Sequence, residues 1–292
     1  MAKKIDLLIL PSVGGIEEMS KGIANHIHLT QGTYANLEFH FTQNSVSVLY
    51  KGKDLKEFST VWILSQWELR DAAYAVKLYL DHFKISHTFV EKGTSKLTDQ
   101  IKFAFGNIAV PDTFFISQQS LNISDYVESI EKICGYPLII KDSKGSRGKN
   151  SEFITNRKEL LDIAAKLPKN RKYLFQRFIP NDYDWGILVA YGKVVSAERS
   201  YPMAKEFRNN ACNGAKEHFV NINTVPAAIK KMAINASKVL GLSWSRSDII
   251  VDKYTNAPYL LEVNRYPGIT PGTSEVIGAQ DFLKSHLITL VN

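Results

Sequence analysis

Two apolar runs near the end of the chain constrain it most: Ser247-Asp248-Ile249-Ile250-Val251-Asp252-Lys253 and Tyr259-Leu260-Leu261-Glu262-Val263-Asn264. The spacer Tyr254-Thr255-Asn256-Ala257-Pro258 is rich in turn formers, so the two runs are expected to pair as a β-hairpin. Side chains alternate faces along a strand, which sends Glu262 and Asn264 the same way. With residues 254 to 258 as the loop, antiparallel pairing sets Asp248 opposite Asn264 and Ile250 opposite Glu262, and all three polar groups share a face. Hard oxygen donors gathered like this suit Mg²⁺ or Mn²⁺ held with substrate phosphates. A one-residue slip would turn one strand's donors away and leave an ordinary solvated hairpin end.

At 292 residues the chain exceeds one average domain, and its 45% hydrophobic content suits a packed core. The run Ile5 to Leu10 follows two lysines but is short and carries Asp6, so it reads as a first buried strand rather than a leader. No run reaches the roughly 18 apolar residues of a membrane span. Cys134 and Cys212 are far apart and lack metal spacing, which favours reduced thiols and a cytoplasmic setting. The formal charge of +7 favours anionic partners, but the positive residues are spread along the chain, which argues against nucleic acid.

Thr60 to Leu64 precedes a helical pattern from Glu68 to Phe83, and with the first strand this suggests an open α/β lobe. A short helix with Leu97, Ile101 and Phe105 on one face follows, and the pattern breaks near residue 110. Beyond a helix around residues 124 to 134, the strand Tyr136 to Lys141 leads into Asp142-Ser143-Lys144-Gly145-Ser146-Arg147-Gly148-Lys149-Asn150. Such a loop can surround phosphate oxygens with backbone N–H groups and cations, or serve as a plain solvated hairpin loop. The run Tyr173 to Ile179 stops at Pro180, and Gly192-Lys193 then reads as a type II′ turn joining two strands, a register that sets Gly186 across from Arg199. Arg208 and Asn210 would share a face if their segment were extended, and residues 226 to 240 form an amphipathic helix closed by Gly241.

In this order the parts resemble the ATP-grasp superfamily, and within it the RimK-like carboxylate–amine ligases, over residues 90 to 275. The most specific pieces are Glu262-Val263-Asn264 with Pro267-Gly268, Phe207-Arg208-Asn209-Asn210, and Ile140-Lys141 with Gly145-Ser146-Arg147-Gly148. The resemblance implies an α/β and α+β architecture: an open pre-ATP-grasp lobe over residues 1–110, a central lid lobe over 111–180, and a C-terminal lobe over 181–292 carrying the metal hairpin. It implies that Lys96 and Lys141 match lysines contacting ATP phosphates and adenine-side groups. Gln176, Arg177, Phe178 and Ile179 match the adenine hinge, Asp184 a position near the ribose, and residues 143 to 149, with Gly145 and Ser146, the lid. Asp248, Glu262 and Asn264 match the metal ligands, while Arg208 and Asn210 are expected to stabilise the reacting phosphate.

The implied chemistry is activation of an anionic carboxylate substrate by ATP as an acyl phosphate, which an amine acceptor attacks; a peptide or amino-acid-like molecule is an expected substrate class. The rival readings are a nucleotide-binding regulatory protein with reduced catalysis and a kinase-like phosphotransferase, and a homo-oligomer stays open. Two departures stand out: relatives commonly carry arginine where this chain has Gly186, and often where it has Ser200. Arg199 is therefore expected to supply positive charge alone on the acceptor side.

Overall fold

A computed structural model describes residues 4–23, 25–43, 45–65, 67–93, 95–115, 123–143, 151–168, 171–203 and 214–287. The chain opens with β1 (Ile5–Leu10), α1 (Ile16–Lys21), β2 (Ile27–Gln31), β3 (Leu37–Phe41), β4 (Val46–Tyr50), β5 (Lys53–Asp54), β6 (Thr60–Ile63), α2 (Arg70–His82) and β7 (Ser86–His87). The strands β2-β1-β6-β7 form a parallel sheet, the open α/β arrangement the alternating strand and helix patterns imply. Parallel strands are covered on both faces, which is why the interior of β1 is apolar almost without a break.

The second stretch comprises α3 (Lys96–Phe105), β8 (Thr113–Phe115), α4 (Val127–Cys134), β9 (Leu138–Asp142), β10 (Ser151–Ile154), α5 (Arg157–Ala164) and β11 (Tyr173–Arg177), with a sheet ordered β10-β9-β11-β8. Ser95 caps α3 reciprocally with Thr98, which fixes where the helix and its first-turn Lys96 begin. The inward face of α3 is not the expected apolar stripe: Phe105 is 84% and Ile101 47% exposed, while Asp99 and Phe103 are buried. An ion pair described below turns Asp99 inward, and apolar periodicity alone could not anticipate it.

The last stretch holds β12 (Asp184–Ala190), β13 (Lys193–Tyr201), β14 (Lys216–Phe219), α6 (Ala227–Leu240), β15 (Trp244–Val251), β16 (Pro258–Asn264) and α7 (Ser274–Phe282). Its sheet runs β14-β13-β12-β15-β16, antiparallel throughout. One face, with Trp185, Ile187, Val189 and Ile249, packs on α6, whose end is closed by Gly241 at φ 73°. The same core takes in Phe103 and Ile108, so α3 packs with this lobe. On the opposite side, Leu188, Ala190, Trp244 and Phe282 share a core with Leu7, Ile9 and Trp62 of the first sheet. Trp62 meets Trp244 edge to face at 5.2 Å. Among the described residues no helix is long and apolar enough to cross a membrane.

Candidate active site

The β15–β16 hairpin differs in register from the sequence expectation, and the difference assembles the site. Its loop is Asp252 to Ala257: the Asp252 carboxylate accepts from the N–H groups of Tyr254 and Thr255 at 2.8 and 3.1 Å, and Asn256 takes φ 57°. This self-capped turn sets Val251 opposite Pro258 and Ile249 opposite Leu260. Continued unbroken, that register would bring Leu261 to Asp248. A bulge between Asp248 and Ile249 skips Leu261, so Glu262 pairs with Asp248 and Asn264 with Arg246. Leu260 thereby stays in the α6 core while Glu262 joins the face of Asp248.

The three expected cation donors are therefore on one face, though not in the expected pairs. Asn264 Nδ2 donates to Asp248 Oδ2 at 3.1 Å, which leaves the amide oxygen of Asn264 as a donor to a cation. Burial pushes the Asp248 carboxyl well up from its ordinary value, and the charges of Glu262, Asp184 and Glu198 add to this against the opposing Arg246. Among the described residues there is no group of three His, Cys, Asp or Glu side chains poised around a metal ion. The donor set here is two carboxylates and an amide, all hard oxygens, and a half-buried carboxylate crowded by like charge fits a divalent cation.

Two neighbours on this face escaped the sequence reading. The turn between β12 and β13 is Tyr191-Gly192, with φ 43° and 72°, the type I′ pattern rather than II′. With a further shift between Leu188 and Val189, it sets Gly186 opposite Glu198, not Arg199. A Cβ at position 186 would come within 2.4 Å of Glu198 Oε1, so the missing side chain makes room for that carboxylate. Arg246 Nη1 donates to Glu198 Oε1 at 3.2 Å and its Nη2 pairs with Glu275, which also accepts from Thr270 N–H at 2.8 Å. Glu198 Oε2 is buried and has no hydrogen-bond partner among the described residues, and burial raises the Glu198 pKa, with Arg246 opposing. The signal for Arg246 was its spacing, two residues before Asp248 on one strand. Arg199 pairs with Trp185 and lies 4.5 and 4.8 Å over the Trp185 and Tyr183 rings, on the sheet face away from Glu198 and Ser200. Ser200 lies opposite Asp184.

On the other lobe, Lys141 Nζ donates to Gln176 Oε1 at 2.7 Å, and Gln176 Nε2 to Thr113 at 2.9 Å. Burial draws the Lys141 pKa down to about 8, and the charge of nearby Lys96 adds to it against Glu262, Asp184 and Asp248. Lys141 therefore lies within electrostatic reach of Lys96 and of the Glu262, Asp184 and Asp248 carboxylates. Asp184 accepts from Asn181 at 2.6 Å. In the segment expected to be the adenine hinge, the N–H groups of Arg177 and Phe178 donate to Asp112 and Pro137 carbonyls at 2.9 and 3.0 Å, so these two amides are engaged internally, and Ile179 is buried. Gly145, Ser146, Arg208 and Asn210 lie outside the described residues.

A third group missed in the sequence is Arg265, next to Asn264, whose guanidinium meets Glu91 and Asp99. The only sequence hint was a strong cation beside a donor residue.

A family model described as the RimK-like ATP-grasp domain matches residues 91–282. A probable alpha-L-glutamate ligase of Vibrio vulnificus is 27% identical over 238 residues, covering 78% of this chain and 75% of that protein. Among solved structures, D-alanine–D-alanine ligase from Bacillus anthracis complexed with ATP aligns over 98% of this chain and 97% of its own, at 15% identity and a TM-score of 0.65. The ATP-grasp ligase PsnB, complexed with a phosphomimetic variant of its minimal precursor, Mg and ADP, aligns over 99% and 100% at 12% identity and a TM-score of 0.68.

Proposed function

The chain belongs to the RimK-like ATP-grasp family and is an ATP-dependent carboxylate–amine ligase, and on that premise we propose that Asp248, Glu262 and Asn264 hold a Mg²⁺ or Mn²⁺ ion against the phosphates of bound ATP. The observation that carries this assignment is the Asp248–Glu262 pair: two carboxylates on one face, the half-buried Asp248 raised in pKa, with Lys141 within electrostatic reach of both. In this reading residues 1–110, 111–180 and 181–292 are the pre-ATP-grasp, lid and C-terminal lobes, and residues 143 to 149 cover the triphosphate.

A bound divalent cation would supply charge neutralisation on phosphoryl oxygens. The chain's own residues do the rest. Lys141 approaches the phosphates from the central lobe and Lys96 from the start of α3, and Gln176 orients the Lys141 ammonium by accepting its hydrogen bond. The Ile179 end of the hinge is left for adenine, since the Arg177 and Phe178 amides are occupied. Asp184 lies toward the ribose, and Arg208 and Asn210 complete the phosphate side. A substrate carboxylate oxygen bonds to the γ-phosphorus as the bond to ADP breaks; the amine then bonds to the acyl carbon, loses a proton, and phosphate leaves. Exclusion of water protects the acyl phosphate between these steps.

PsnB's precursor and the glutamate ligase name motivate two acceptor classes, a peptide and an amino acid. The ATP requirement fits a cytoplasmic reaction. The test is ADP and phosphate release with Mg²⁺ across pairs of carboxylate and amine substrates. Release that needs both substrates supports the ligase; a stable phosphorylated product without an amine indicates a kinase-like relative; no nucleotide binding removes the reading.

A further inference from the structure

Arg265 directly follows Asn264 and is buried, with 6% of its surface exposed. Its Nε and Nη2 donate to Glu91 Oε2 and Oε1 at 2.5 and 3.0 Å, and its Nη1 and Nη2 to Asp99 Oδ2 and Oδ1 at 2.9 and 2.8 Å. The guanidinium thus grips two carboxylates, each through both oxygens, and also touches the Val263 carbonyl at 3.4 Å. Lys102 reaches Glu91 at 3.2 Å. The pairing lowers the pKa of Glu91 against its burial and raises that of Arg265. The charge of Arg70, on the first lobe's α2, interacts with all three groups.

What this cluster joins is more telling than its strength. Asp99 lies one turn after Lys96 on α3, on the same side of that helix. Lys96 is close enough to Lys141 for its charge to lower the Lys141 pKa. At the other end, Arg265 continues directly from Asn264, whose amide is already fixed on Asp248. One side chain therefore ties the cation-holding end of β16 to the helix end that carries a phosphate-side lysine. Buried ion pairs are weak devices for stability, since well-packed apolar residues often serve as well. A bidentate fork on two carboxylates instead fixes relative position, which a lysine's point charge cannot do.

We propose that Arg265 is a positioning residue that couples the cation end of β16 to Lys96, so that nucleotide and divalent-cation binding strengthen one another through it. This rests on the assignment of Asp248, Glu262 and Asn264 to the cation and of Lys96 to the phosphates. It requires no contact between Arg265 and either ligand.

The experiment is calorimetric titration of ADP into the full chain, with and without Mg²⁺, for the wild type, Arg265→Lys, Lys96→Ala and the double variant. Arg265→Lys is expected to weaken ADP binding in Mg²⁺ by about tenfold, with a much smaller change in its absence. Adding Lys96→Ala to Arg265→Lys is expected to cost less than Lys96→Ala costs in the wild type, the sign of a shared pathway. Should Arg265→Lys fail to fold by circular dichroism, Glu91→Gln with Asp99→Asn breaks the same fork and carries the same expectation. Unchanged Mg²⁺-supported affinity, or losses that simply multiply, would overturn the positioning role while leaving the ligase reading intact. A wild type that binds no ADP would overturn both.

Discussion

Gly186 faces Glu198 across two antiparallel strands, and the Glu198 carboxylate fills the space that any side chain at 186 would need. Gly186→Ala places a methyl group within 2.4 Å of Glu198 Oε1 and 2.8 Å of its Cγ. Glu198 cannot swing away freely, being buried and held by Arg246. A loss of about 1–3 kcal/mol is expected in urea denaturation, largely rescued when Glu198→Ala is added. Additive losses would mean that the contact is not the cause.

Arg246 stands between two buried carboxylates, Glu198 and Glu275, with 5% and 2% of their side chains exposed. Arg246→Met strands both charges. A destabilisation of about 3–5 kcal/mol is expected from denaturant unfolding, shrinking when Glu198→Gln is combined with it. A variant as stable as the wild type would show that the pairs are dispensable.

Asp248 is raised in pKa because it is buried among like charges. In the metal-free protein at neutral pH, Asp248→Asn removes that repulsion, so thermal melting without divalent ions is expected to rise. ADP affinity in Mg²⁺ is expected to fall by more than about tenfold. Opposite signs in the two measurements distinguish a cation donor from a structural carboxylate.

Lys141, with its pKa drawn down to about 8 from 10.5, gives a pH signature. Between those values the unfolded chain binds the proton and the folded, nucleotide-free protein does not. This group therefore makes stability rise with pH across that window. Nucleotide affinity moves the other way, because phosphates favour the ammonium. ADP binding is expected to weaken by up to about tenfold per pH unit above 8, and Lys141→Met to flatten that slope, as read by calorimetry at several pH values.

Much of the site was legible because strand alternation is local. Glu262 and Asn264, two residues apart, had to share a face, and a strand-end Lys141 was readable from the apolar run before it. Pairing between strands was not. The skipped Leu261 and the shift near Val189 each change register by one residue, and neither leaves a compositional trace. The same limit hid Glu198 behind Gly186 and misplaced Arg199, whose neighbour across the strand is Trp185. Arg265, Glu91 and Asp99 are distant in sequence, and only the folded chain brings such charges together.

The core that unites Trp62 with Trp244 and Phe282 bears on how the protein can be dissected. The family match begins at residue 91, which invites expression of that portion alone. Such a truncation would strip the cover from Leu188, Trp244 and Phe282 and present their greasy surface to water. It should clump rather than fold, since the opening sheet is the missing half of that interior.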